Sequence, residues 1–278
     1  AVAAYLSEEQ QVPVSAKSVL MNFGAAGALN VVLKTLLDPG DEVILIKPVF
    51  VDYRAYVDNH QGVSRVVDCR ADFQLDLDAI GKAINARTKA IIINSPNNPS
   101  GQIYPEENLK DLGQLLKARS RELGRIIYLL SDEPYRKIVY DGHQVPGIFK
   151  AYEQSIIATS YSKDLSIPGE RIGFAAVNPA ADYLDEIMEG MKVAIRILGF
   201  VNAPALMQRI ISNLQGISVN IGAYDKKRNL LCRGLADAGY DFLKPAGTFY
   251  LFPKTPIEDD VAFVQELQKE LILTVPGK

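Results

Sequence analysis

Lys163 lies just after an apolar run, preceded by hydroxyls at Ser160 and Ser162, and Arg171 follows eight residues later at the opening of the next run. An amine at a strand end is a candidate nucleophile, and a guanidinium beside hydroxyls is a candidate anion clamp. Asp132 and Tyr135, three residues apart after another run, place a carboxylate and a phenol on one turn. Such a pair serves a ligand or caps the next helix. Gly24-Ala25-Ala26-Gly27-Ala28-Leu29-Asn30 is a small-residue turn feeding a helix, whose free N–H groups would hold a phosphate. It lacks G-x-G-x-x-G and the Gly-Lys-Ser/Thr of a P-loop, and taken alone it reads first as a tight strand-to-helix turn. Asn94-Ser95-Pro96-Asn97-Asn98-Pro99-Ser100-Gly101 fixes a polar loop after a fourth run.

The elements that must position these residues follow from periodicity. Apolar, partly β-branched runs at 18–23, 42–46, 63–67, 90–94, 126–130, 155–158 and 172–177 alternate with segments of helical period. That alternation predicts an α/β fold with a mostly parallel seven-stranded sheet flanked by helices. In such sheets ligands gather beyond the carboxyl ends of the strands, where the residues above fall. Pro105 suits a first helical position, with Leu109, Leu112, Leu115 and Leu116 on one face of the helix that follows. After 177 the pattern turns to helices over 181–191, 199–213, 218–239 and 260–270, with short strand-like pieces at 248–252 and 271–273. This predicts a large domain over 1–214 and a partial, smaller α+β domain over 215–278.

Composition narrows the partners. The 278 residues carry 30 Lys+Arg against 33 Asp+Glu, a net charge of −3 that offers no basic surplus for nucleic acid or anionic membrane. Cys69 and Cys232 have no metal-type spacing, and His60 and His143 alone give no His-rich metal site to expect. No apolar run reaches the roughly 18 residues that span a bilayer. The expectation is a cytoplasmic protein with a small-molecule partner. The chain opens at Ala1 within a helical pattern and stops at Pro276-Gly277-Lys278 after a strand-like piece, so both ends read as cut.

Taken together, the Gly24 turn, the Asn94 to Gly101 loop, Asp132-x-x-Tyr135 and Ser160-x-Ser162-Lys163-(x)7-Arg171-x-Gly173 resemble the class I/II aminotransferases of pyridoxal-phosphate fold type I, the aspartate and alanine aminotransferase-like enzymes. Gly247-Thr248-Phe249-Tyr250 is similar to that family's small-domain strand. The resemblance implies pyridoxal 5'-phosphate as cofactor, an L-amino acid and a 2-oxo acid as substrates, and a homodimer.

It also implies roles. Lys163 would carry the cofactor as a Schiff base and move the proton at the substrate Cα. Asp132 would pair with the pyridine nitrogen, and Tyr135 and Asn98 would bond the ring oxygen. Phe50 would stack on the ring, although its spacing fits a core aromatic equally well. The phosphate would take Ala25 and Ala26 N–H groups, the Ser160 hydroxyl and Arg171, with Ser162 as a neighbour. Many relatives carry a hydroxyl or amide where Ala26 stands, so one phosphate contact is expected to be missing. The family's arginine for the substrate α-carboxylate is expected beyond Lys278, and its N-terminal arm with a phosphate-binding tyrosine ahead of Ala1.

Three rivals stand beside this reading. A C–S β-lyase or aminocyclopropane-carboxylate-synthase-like elimination enzyme would share the cofactor cage. Ser160-x-x-Lys163 satisfies the S-x-x-K of serine hydrolases, although no S-D-N or K-T-G string accompanies it. The third is a protein that binds the cofactor without full activity, either a fragment or a regulator's module; no helix-turn-helix pattern supports the regulator.

Overall fold

Seven runs of Val, Ile and Leu form the seven strands of one sheet in a computed structural model that describes residues 1–277. The strands are β1 (Val19–Asn22), β2 (Glu42–Ile46), β3 (Val63–Val67), β4 (Thr88–Asn94), β5 (Tyr128–Asp132), β6 (Ser155–Ser160) and β7 (Gly173–Val177). Their order is β1-β7-β6-β5-β4-β2-β3, with β7 antiparallel to both neighbours and every other pairing parallel. The mostly parallel sheet expected from the alternation is therefore present.

Helices connect and cover the strands: α1 (Val2–Gln10), α2 (Gly24–Leu36), α3 (Asp52–Asp58), α4 (Leu77–Ala83), α5 (Glu106–Leu123), α6 (Tyr161–Asp164) and α7 (Leu184–Ile197). Beyond them lie α8 (Ala205–Ile211), α9 (Ile221–Asp237) and α10 (Asp260–Lys269). Alternate residues of each strand enter two different cores, as the pleat requires. Ile44, Ile91, Ile93, Leu129 and Ile157 pack with Leu6, Leu109, Leu112 and Leu116 on one face. Val43, Leu45, Ile92, Leu130, Ile156 and Ala158 pack with Leu29, Val32, Leu33 and Met191 on the other.

This alternation decides where the chemistry points. Asn94, Asp132 and Ser160 share the parity of Ile92, Leu130 and Ala158, so all three leave the carboxyl ends of adjacent strands toward the α2 face. Asn94 and Asp132 are register partners across β4 and β5.

Several expected elements differ. Pro105 sits at the N-cap of α5, one residue before the first helical position, with Glu106 and Glu107 in the first turn. The helix expected over 199–213 shortens to α8, because Gly199 turns the backbone left-handed and Pro204 sets a new start. No strand forms over 248–252: Thr248 takes φ +63, and only Gly247 makes an isolated bridge, to Val139. The 271–273 piece is also not a strand, and its three apolar side chains are exposed. A short apolar run without a neighbouring strand edge has no ladder to join.

Candidate active site

The site begins with β1. Its chain turns at Gly24 directly into α2, which has no side-chain cap and no acidic residue in its first turn. The first N–H groups of that turn, at Gly24, Ala25 and Ala26, are thus the unsatisfied donors of a helix amino end, where the macrodipole favours an anion. Gly24 has φ +70, and a Cβ there would lie 3.1 Å from Arg171 Nη2 and 3.3 Å from Ser160 Oγ. The bare Cα keeps this concavity open. Gly173 serves the same place, since a Cβ on it would collide with the Thr159 carbonyl and the Gly24 backbone.

Ser160 and Ser162 are buried beside Arg171. Ser160 Oγ accepts from Ser162 N at 3.0 Å and donates to Ser162 Oγ at 2.7 Å, while Arg171 Nη1 donates to Ser162 Oγ at 3.4 Å and to the Pro168 carbonyl at 2.8 Å. This is a cradle of donors around the α2 amino end. It also commits the Ser160 hydroxyl to capping α6, which does not suit a hydrolase nucleophile. Gly24→Ala is expected to cost about 1–2 kcal/mol of stability from the left-handed backbone alone. It should also weaken binding of a phosphate-bearing ligand, which thermal unfolding and equilibrium dialysis measure separately.

Asp132 ends β5 with 6% of its surface exposed. Its Oδ2 accepts from the Tyr53 hydroxyl at 2.5 Å, while Oδ1 is buried without a partner. Burial pushes its pKa up to about 7, with the Tyr53 bond pulling it down and Glu133 adding to the rise. Asn94 Nδ2 donates to the Asp132 carbonyl at 2.8 Å, and Asn94 Oδ1 accepts from Asn98 N at 2.6 Å. The central strands thereby hold the loop that carries Asn98.

Tyr135 follows on the turn after β5 and bonds both Asn98 and Tyr250, its hydroxyl lying 3.0 Å from that of Tyr250. Burial raises its pKa well above the phenol range, and the Tyr250 bond adds to the rise. Lys163, half-buried in α6, holds its Nζ 5.7 Å from the centroid of the Phe249 ring. Phe249 packs on Tyr224, Tyr135 and Tyr250. Phe50 lies in the loop before α3, half-buried, with its ring edge-on to Tyr53 at 5.4 Å.

Ser160, Ser162 and Arg171 meet at Gly24, where the turn continues into Ala25 and Ala26, and Tyr135 bonds Asn98. Phe50 reaches Asp132 only through Tyr53. Sequence reasoning gave no role to Tyr53, Tyr250 or Phe249, and drew attention to the start of the Asn94 loop without the bond from Asn94 to Asp132. Tyr53 lies in α3, seven residues past the end of β2 and three after Phe50, and that neighbourhood was the available signal.

A lysine, a buried carboxylate and an anion cradle at the mouth of one mostly parallel sheet are the parts of an α/β transferase. The chain belongs to the class I and II aminotransferases, whose family model matches residues 1–278. It is 30% identical over 279 residues to a probable aspartate aminotransferase of Methanocaldococcus jannaschii, covering 98% of this chain and 72% of that one. It is 32% identical over 284 residues to a probable aspartate/prephenate aminotransferase of Thermus aquaticus, covering 100% and 72%. Among solved structures, an amino transferase from Eubacterium rectale superposes with a TM-score of 0.96 at 41% identity, over 99% of this chain and 70% of that one. The aspartate aminotransferase of Thermotoga maritima gives 0.86 at 29% identity, over 99% and 72%. The family is generally dependent on pyridoxal 5'-phosphate. Among the described residues, no helix is long and apolar enough to cross a membrane.

Proposed function

We propose that the protein moves the amino group of an L-amino acid to a 2-oxo acid, with pyridoxal 5'-phosphate held at Lys163. The carrying observation is Asp132 Oδ1, a buried carboxylate oxygen without a partner at the mouth that also holds the lysine and the anion cradle. A buried acceptor left open costs about 1–3 kcal/mol, and a protonated ring nitrogen would remove that cost. When bound, the cofactor supplies an electron-withdrawing pyridine ring and carries the amino group between the two half-reactions.

The chain's residues do the rest. Asp132 holds a proton on the ring nitrogen, and Tyr53 keeps that carboxylate oriented and ionised by donating to its other oxygen. Tyr135 and Asn98 would donate to the ring oxygen, and Phe50, beside Tyr53, would pack against the ring. The amino end of α2 with Ser160, Ser162 and Arg171 binds the phosphate, Arg171 through a planar fork that lysine would not match. Ala26 offers only its main-chain N–H, so the hydroxyls of Ser160 and Ser162 take a larger share. Lys163 Nζ holds the cofactor and then moves the proton at the substrate Cα.

Homodimerisation and a cytoplasmic setting belong to the same reading. So does a division near residue 214; a small core joining Tyr135, Ile138 and Tyr140 to Val219, Ile221, Tyr224 and Tyr250 packs the two parts together across it. Reduction with borohydride after loading is the test: the visible absorbance should vanish and the label should map to Lys163. A label on Lys137 or Lys192 overturns the assignment.

A further inference from the structure

The residue after Lys163 is Asp164, a buried acid that the reaction does not use. It ends α6, a single turn of four residues too short to hold itself together. Ser160 caps the start of that turn, and Tyr161 N donates to the Ile172 carbonyl at 3.1 Å. Asp164 holds its end. Its Oδ1 accepts from Leu165 N at 2.9 Å, its carbonyl accepts from Val219 N at 2.6 Å, and its Oδ2 pairs with Lys137 Nζ at 3.0 Å. Lys137 stands on the turn that carries Tyr135 and follows Asp132.

We propose that the Lys137–Asp164 ion pair is a positioning device: it ties the turn bearing the reactive lysine to the turn bearing Asp132 and Tyr135. Its job is to fix the amine relative to the ring pocket. The proposal rests on Lys163 as the cofactor-bearing lysine.

The placement is costly for any other purpose. A carboxylate at the carboxyl end of a helix opposes the macrodipole, and burial raises its pKa while Lys137 pulls it back. Buried pairs add little stability over apolar replacements, and their best-attested use is to specify geometry. The pair is also enclosed. The Lys137 ammonium lies 4.7 Å from the centroid of the Tyr5 ring and 5.8 Å from that of Tyr161, with both side chains of the pair under 15% exposed. Neighbouring Arg136 is engaged by Glu133 at 3.1 Å and Glu9 at 3.3 Å. Lys137 is therefore the cation matched to Asp164.

The test uses the whole, cofactor-loaded protein with Lys137→Met, Asp164→Asn, the double variant and Lys137→Arg. Three readouts are compared: thermal stability, the pH midpoint of the bound cofactor's visible absorbance, and kcat against KM. Either single neutral variant should lower kcat by about 10- to 100-fold with little change in KM, as a misplacement near 1 Å does. Each should also shift the absorbance midpoint, and Lys137→Arg should restore both. The double variant, with neither charge buried, should regain stability but neither kcat nor the midpoint. Recovery of all three, or single variants with wild-type kcat and midpoint, overturns the positioning role. Wild-type protein that fixes no cofactor at Lys163 on reduction would instead overturn the reading beneath it.

Discussion

Lys163→Ala is expected to lower turnover by on the order of 10⁴-fold, the upper range for a positioned acid–base group, while the variant still takes up pyridoxal phosphate. Binding and chemistry separate because they rest on different elements. The phosphate cradle is built from the amino end of α2, Ser160, Ser162 and Arg171, none of which needs the lysine side chain. The residues proposed to meet the ring come from β4, β5 and the turns after them. Removing the amine therefore takes away the covalent link and the proton carrier together. Absorbance titration should show cofactor uptake with an altered spectrum, and single-turnover mixing with an amino acid should show almost no conversion. A wild-type rate in this variant would remove Lys163 from the reaction.

Asp132→Asn should raise the stability of the cofactor-free protein at pH 8 while costing turnover about 10²–10³-fold, the scale set by loss of one preorganised electrostatic partner. The pKa of Asp132 stands near 7 in the fold, against the ordinary 3.8 of an exposed aspartate. The folded chain thus binds more protons than the unfolded chain between those values, and stability falls as pH rises from about 4 to 7. Above 7 the penalty is complete, on the order of 2–4 kcal/mol. Asparagine keeps an acceptor for the Tyr53 hydroxyl without the charge. Its advantage in thermal unfolding should be large at pH 8 and nearly absent at pH 4. A variant no more stable than wild type at pH 8 would show that the buried carboxylate is solvated or paired in solution.

The layered sheet and the cradle were legible because each rests on local pattern. Runs of β-branched residues gave the strands, and the rule that ligands gather at strand ends drew attention to Gly24, Asn94, Asp132 and Lys163. What sequence could not supply was contact between distant segments. The bond from Tyr53 to Asp132 joins residues 79 apart, and that from Tyr135 to Tyr250 joins residues 115 apart. No periodicity encodes which side chain from β2's exit meets which carboxylate at β5's. The stretch 248–252 failed for a different reason: its apolar composition satisfies a strand, but a left-handed Thr248, held by Ile138 and Tyr140, bends it across the site.

The antiparallel pairing of β6 with β7 has one more consequence. Lys163 and Arg171 lie on the single connection between those two strands, so the proposed nucleophile and the proposed phosphate clamp form one hairpin excursion from the sheet. Any rigid shift of this short connection against the sheet therefore displaces the amine and the guanidinium together. The aromatic wall of Phe249, Tyr224 and Tyr250 comes from separate stretches of chain, so a shift of that connection leaves the wall where it is.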